Sequence, residues 1–117
     1  MAEELPDDLI DFHPDWVAVQ KKVQTQFGTK PDLQALLFVI GIQELGQVHD
    51  KYSKEQKQDL MHIAVCRLLM EDGFYRYIGR DEEGWPHYEP TVELPEWTVK
   101  EQEIHLKRRI IDYFAEF

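Results

Sequence analysis

The segment from Leu33 to about Val48 constrains this chain more than any other, because on a helical wheel its apolar residues leave almost no polar side. Leu33, Leu36, Leu37, Phe38, Val39, Ile40, Ile42 and Leu45 must be covered from several directions, so the segment reads as a central helix and the hub of a core. Its longest unbroken apolar run, residues 35–42, falls well short of the ~20 residues needed to span a bilayer, so a core helix is expected and a membrane span is not. Gly41 and Gly46 lie on different faces of this helix and read as points of close packing. Glu44 is the anomaly, since it falls among Leu33, Leu37 and Ile40. An ionised carboxylate in that stripe must be paired, protonated or placed at a pocket. A salt bridge is the expected outcome, with a general base or metal ligand as the functional alternative.

The remaining segments supply partners for such a hub. After Pro14, the residues Trp16, Val19, Val23 and Phe27 recur at helical spacing, and Gly28 ends the pattern. Thr29 in TKPD is expected to cap the central helix, with Pro31 in its first turn. Ser53 opens SKEQ, a capping box for a third helix that runs through Leu60, Ile63, Ala64, Leu68 and Met70 towards Gly73. Thr98 opens a second box, TVKE, for a fourth helix with Val99, Leu106, Ile110, Tyr113, Phe114 and Phe117 as its apolar face.

Between the third and fourth helices, Pro86, Pro90 and Pro95 forbid regular helix. There FYRYIG and WPHYE, separated by RDEEG, are compatible with a short irregular hairpin in which Pro86 is confined to an edge or a bulge. Phe74, Tyr75, Tyr77 and Trp97 are expected to anchor this connection, while Trp85 and Tyr88 project. The fold expected is therefore mainly α, a compact four-helix domain with a long aromatic connection between helices three and four. Residues 1–12 read as an acidic lead-in, packing at most through Leu9, Ile10 and Phe12, and residues 13–117 as a single helical domain.

Charge and cysteine content narrow the function. The chain carries a formal charge of -10, concentrated at its two ends. A nucleic-acid binder needs a basic stripe to displace counterions, and the one basic cluster, Lys107, Arg108 and Arg109, is flanked by acids, so nucleic acid is not expected as a partner. The acidic N-terminus has no apolar core of a secretory signal, and the single Cys66 cannot form an internal disulfide, so cytoplasmic residence is expected.

Three arrangements can carry chemistry. Glu55, Asp59, His62 and Cys66 follow one another at spacings of four, three and four along the third helix. Such a stripe can hold a transition metal, or His62 can activate Cys66. The plainer reading is a solvated first turn followed by a buried, inert thiol. A two-metal carboxylate site would need two ExxH motifs, and the sequence has none. Nor has it a GxxxxGK[ST] or GxGxxG loop, and its single serine, Ser53, is used as a cap, so no cofactor is expected. His105 falls with Glu101, Arg109, Asp112 and Glu116 on a solvated, ion-paired face.

The third arrangement is the acidic aromatic surface around Trp85, His87 and Tyr88, expected to be an interaction site that favours a basic partner. Its plainer reading is that the rings lie over the helices as a lid. The function expected is a non-catalytic interaction or accessory domain, acting on a protein partner or by self-association. The alternative is a small metal- or ligand-binding enzyme using Glu44 and His62.

Overall fold

The computed structural model describes residues 7–47 and 49–116. It is mainly α, with four α-helices and a two-stranded antiparallel hairpin between the third and fourth among the described residues. The helices are α1 (Pro14–Phe27), α2 (Leu33–Leu45), α3 (Lys54–Met70) and α4 (Val99–Phe114), and the strands are β1 (Tyr75–Arg80) and β2 (Pro86–Pro90). No described helix is long and apolar enough to cross a membrane. Residues 1–6 of the acidic lead-in, Val48, Phe117 and the side chains of Asp7, Asp8 and Phe27 lie outside what is described. The chain divides into two units, Met1–Leu33 with Glu96–Phe117, and Gln34–Pro95.

The first unit contains α1 and α4, preceded by a short 3-10 segment, Asp7–Phe12. Pro14 opens α1 after His13, whose ring accepts the Asp15 N–H, and Gly28 closes it in the left-handed conformation at φ 83°. Trp16, Val19 and Val23 are buried, as are Leu106, Ile110 and Tyr113 of α4. Of Leu9, Ile10 and Phe12 only Ile10 is buried, while Leu9 and Phe12 face solvent. Thr98 accepts the Glu101 N–H and the Glu101 carboxylate answers the Thr98 N–H, the reciprocal box the sequence predicts.

Two expectations for α4 need correction. Val99 is exposed, because it sits in the first turn, ahead of the stretch that reaches the core. His105 does not lie on an open ionic face. It is half-buried with its ring 4.9 Å from that of Trp97, whereas Arg109 and Asp112 do form an ion pair at 2.7 Å. Lys107 pairs with Asp11 and lies 5.5 Å above the Trp16 ring, so the basic cluster is partly consumed internally.

The second unit joins α2, α3 and the hairpin. The expected cap at Thr29 is not formed, and α2 begins at Leu33. Lys30 precedes Pro31 and is kept out of helical backbone by the proline ring, so a helix starting at Lys30 is disfavoured. The Pro31 carbonyl instead accepts the side-chain amide of Gln20, a buried polar residue, at 2.9 Å. At the other end α2 stops at Leu45, and Gly46 takes φ 71° with its N–H on the Ile42 carbonyl.

Along α2 the residues Leu36, Leu37, Ile40, Gly41 and Leu45 are buried. The role of hub is shared, however, because α3 buries Leu60, Ile63, Ala64, Cys66, Leu68 and Leu69. The SKEQ capping box opens α3 as the sequence predicts. In the hairpin Tyr75 faces Pro90, Arg76 faces Glu89 with an ion pair, and Tyr77 faces Tyr88. The register then shifts between Tyr77 and Gly79, so that Gly79 faces His87 and Arg80 faces Pro86. Pro86 sits at the first position of β2, where its missing N–H costs little.

Candidate functional site

The hairpin and α3 enclose a groove of about 360 Å³. One wall is the α3 face carrying Gln56, Asp59, His62, Ile63 and Cys66, which stand three or four positions apart and so share a side. The stripe read from the sequence therefore lines a real concavity, apart from Glu55. The opposite wall is the hairpin turn and the start of β2, with Asp81, Glu83, Trp85, Pro86, His87 and Tyr88.

The turn is organised by Asp81. Its Oδ1 accepts the N–H groups of Glu83 and Trp85, each at 2.9 Å, and its Oδ2 lies 2.9 Å from His87 Nε2. The hydrogen bond to His87 first, and the Trp85 amide next, hold the Asp81 carboxyl below the usual carboxylate range. Asp81 is thus ionised at neutral pH, and its charge is spent on the shape of the turn.

A second device fixes the hairpin. Arg80 Nη1 donates to the Leu45 carbonyl at 2.9 Å and to the Gly84 carbonyl at 2.6 Å, while Nη2 donates to the Glu44 carbonyl at 2.9 Å. A guanidinium is thereby set against the C-terminal end of α2, where carbonyls are unpaired and the helix dipole is negative. Gln47 adds a bond from its amide to the Glu83 carbonyl at 2.9 Å. Arg80 opens the RDEEG segment between the strands, and nothing in the sequence points to this role. The spacing of 35 and 36 positions to its acceptors leaves no local signal.

The aromatic residues are placed differently from expectation. Trp85 and Tyr88 do not project. Both are half-buried and pack against the core cluster of Leu45, Leu60 and Ile63, together with Phe38, Ile42 and Tyr52. Tyr77, expected as an anchor, is exposed, with its ring 5.6 Å from that of Tyr88. The reason is the register: Tyr77 and Tyr88 are directly paired and share a face, so one ring covers the other. Burial, followed by the nearby Glu44 charge, pushes the Tyr88 hydroxyl up to about 12. His87 is the exposed member of the three residues predicted as an interaction site.

Glu44 meets the salt-bridge expectation, with Arg67 Nε 3.4 Å from its carboxylate, and Arg67 also pairs with Glu71 at 2.8 Å. Glu44 and His62 line different concavities. Glu44 belongs to a smaller one of about 230 Å³ with Arg67, Met70, Tyr77, Arg80, Pro86 and Tyr88. The pair on which an enzymatic reading rests is therefore not brought to one site. Among the described residues, no three His, Cys, Asp or Glu side chains gather closely enough to hold a metal ion.

His62 and Cys66 do meet, with Nε2 3.5 Å from Sγ, but the thiol is not activated. Cys66 is buried, and burial pushes its pKa to about 11, which favours the neutral thiol over the nucleophilic thiolate. Native Cys66 is accordingly expected to react with a thiol reagent many times more slowly at pH 8 than the denatured chain. Because the folded pKa is raised, the effect of this group on stability is flat below pH ~8.5, where an unfolded thiol stays protonated, and destabilises as pH rises towards 11. Labelling at the denatured rate, or a Cys66→Ala variant with the same loss of stability above pH 9, would contradict this assignment.

No protein-family model, curated protein sequence or solved structure matches this chain. The groove itself sets the chemistry available. It offers carboxylates at the rim, two imidazoles, a partly aromatic wall and an inert thiol.

Proposed function

We propose that the protein is a non-catalytic interaction domain that holds a segment of a partner protein in the groove between α3 and the hairpin. The observation that carries this reading is the composition of the groove: Asp59, Asp81 and Glu83 supply acid, Trp85 and Tyr88 supply ring surface, and no lysine or arginine lines it. A concavity with a partly apolar wall and a few polar groups is the usual form of a recognition site. Aromatic side chains set within such a wall give contact area at small entropic cost.

A second copy of the chain is a poor occupant, since a formal charge of -10 opposes self-association through an acidic groove. The same acidity disfavours phosphate backbones and so a nucleic-acid ligand. The lone, reduced Cys66 suits a reducing compartment, and we place the protein in the cytoplasm on that ground.

The test is selection of a random displayed peptide library on the full chain, followed by affinity measurement against Asp59→Trp. This replacement puts a bulky side chain at an exposed position of the α3 wall and obstructs the groove whatever the charge of the ligand. Selected peptides should bind wild type and lose at least about tenfold with Asp59→Trp, equivalent to roughly 1.4 kcal/mol of binding free energy. Failure to enrich any peptide, or binding indifferent to Asp59→Trp, would remove the proposal.

A further inference from the structure

The carboxylates of the groove are not equivalent. Asp81 is committed to the turn and to His87. The side chains of Asp59 on α3 and Glu83 on the hairpin make no hydrogen bond or ion pair with another described residue, and both residues are exposed. Two uncommitted negative charges thus stand on α3 and on the hairpin in one groove whose lining also includes Trp85 and Tyr88. At about 360 Å³ the space lies at the small end of ligand sites and admits a side chain with a few residues of extended backbone.

We infer that the occupant is an extended basic peptide, and that the groove selects the side chain of arginine over that of lysine. This rests on the reading of the groove as a partner-binding site. A guanidinium is planar, presents five N–H donors in a fixed fork and stacks on aromatic rings, so it can answer carboxylates on two walls while lying against an indole or phenol. An ammonium is a compact, strongly hydrated charge that gains less from the aromatic wall.

The experiment uses blocked, fluorescently labelled five-residue peptides carrying two arginines, two lysines or two glutamates in a glycine background. Binding to the full chain is read by anisotropy at pH 8 and an ionic strength of ~0.05 M, where screening is weak. The arginine peptide should bind about fivefold tighter than the lysine peptide and at least about tenfold tighter than the glutamate peptide. Asp59→Asn combined with Glu83→Gln should remove about tenfold of that affinity without changing the melting temperature.

Equal affinities for arginine and lysine, or binding unchanged in the double variant, would each overturn the inference. Groove-dependent peptides from the random library that are not basic would overturn it too, while leaving the interaction domain itself standing.

Discussion

Gly41→Ala is expected to destabilise the protein by about 2 kcal/mol or more, a fall of roughly 8 °C or more in melting temperature for a chain of this size. The direction is not the one helix propensity suggests. Alanine at an interior helical position is favoured over glycine by about 1 kcal/mol, so local preference alone makes the change stabilising. The packing decides otherwise. A Cβ on Gly41 would lie 2.9 Å from the Leu60 Cβ and closer still to the Leu60 carbonyl carbon and oxygen.

Those last two atoms belong to the backbone of α3, so no rotamer change relieves the clash, and α2 and α3 must move apart. That movement loosens Leu36, Ile40, Leu60 and Ala64, each buried completely. Overpacking of this kind costs about 3 kcal/mol or more, which exceeds the propensity gain. Chemical denaturation of wild type and variant measures the difference, and a Gly41→Ala protein as stable as wild type would show that the two helices do not depend on this contact.

Gly41 also shows where sequence reading succeeds and where it stops. Its helix was legible because eight apolar residues demand burial whatever their partner, and close packing at a glycine follows from the missing side chain. The partner, Leu60, was not legible, since nothing local specifies which carbonyl approaches. The same division runs through the rest of the molecule. The boxes at Ser53 and Thr98 close over three residues and depend only on those residues, so the pattern was sufficient. At Thr29 a similar pattern misled, because the proline two positions later overrides the cap.

In the groove, the α3 wall was readable from the spacing of Asp59, His62 and Cys66, which is fixed by helix geometry. The hairpin wall was not. It depends on a register shift between Tyr77 and Gly79 that turns the following residues, and on Arg80 reaching carbonyls at the end of α2. These are long-range choices, made by tertiary contacts. The uncommitted state of Asp59 and Glu83 is of the same kind, since an acidic residue in a sequence carries no record of whether a base will reach it.

The combined replacement Trp85→Ala with Tyr88→Ala is expected to cost about 4 kcal/mol of stability, the largest effect proposed for this protein. If the two rings projected into solvent, the loss would stay within ~0.5 kcal/mol, as for an ordinary surface change. They do not project. Both pack on Leu45, Leu60 and Ile63, so truncation exposes that cluster and opens space that the backbone of a two-stranded hairpin cannot easily refill.

The Tyr88 change also removes the edge-on contact with Tyr77, whose pairings are worth ~0.5–1.5 kcal/mol beyond the buried area. The Arg80 and Gln47 hydrogen bonds and the Asp81 turn remain, but the hairpin is expected to open before α3 unfolds. Hydrogen exchange resolves this order: amides of Tyr75–Arg80 and of His87, Tyr88 and Glu89 should lose protection at lower denaturant than those of α3. A variant that keeps wild-type stability would return Trp85 and Tyr88 to the surface. A destabilised one leaves Asp59, Glu83 and His87 as the positions at which recognition can be altered without disturbing the fold.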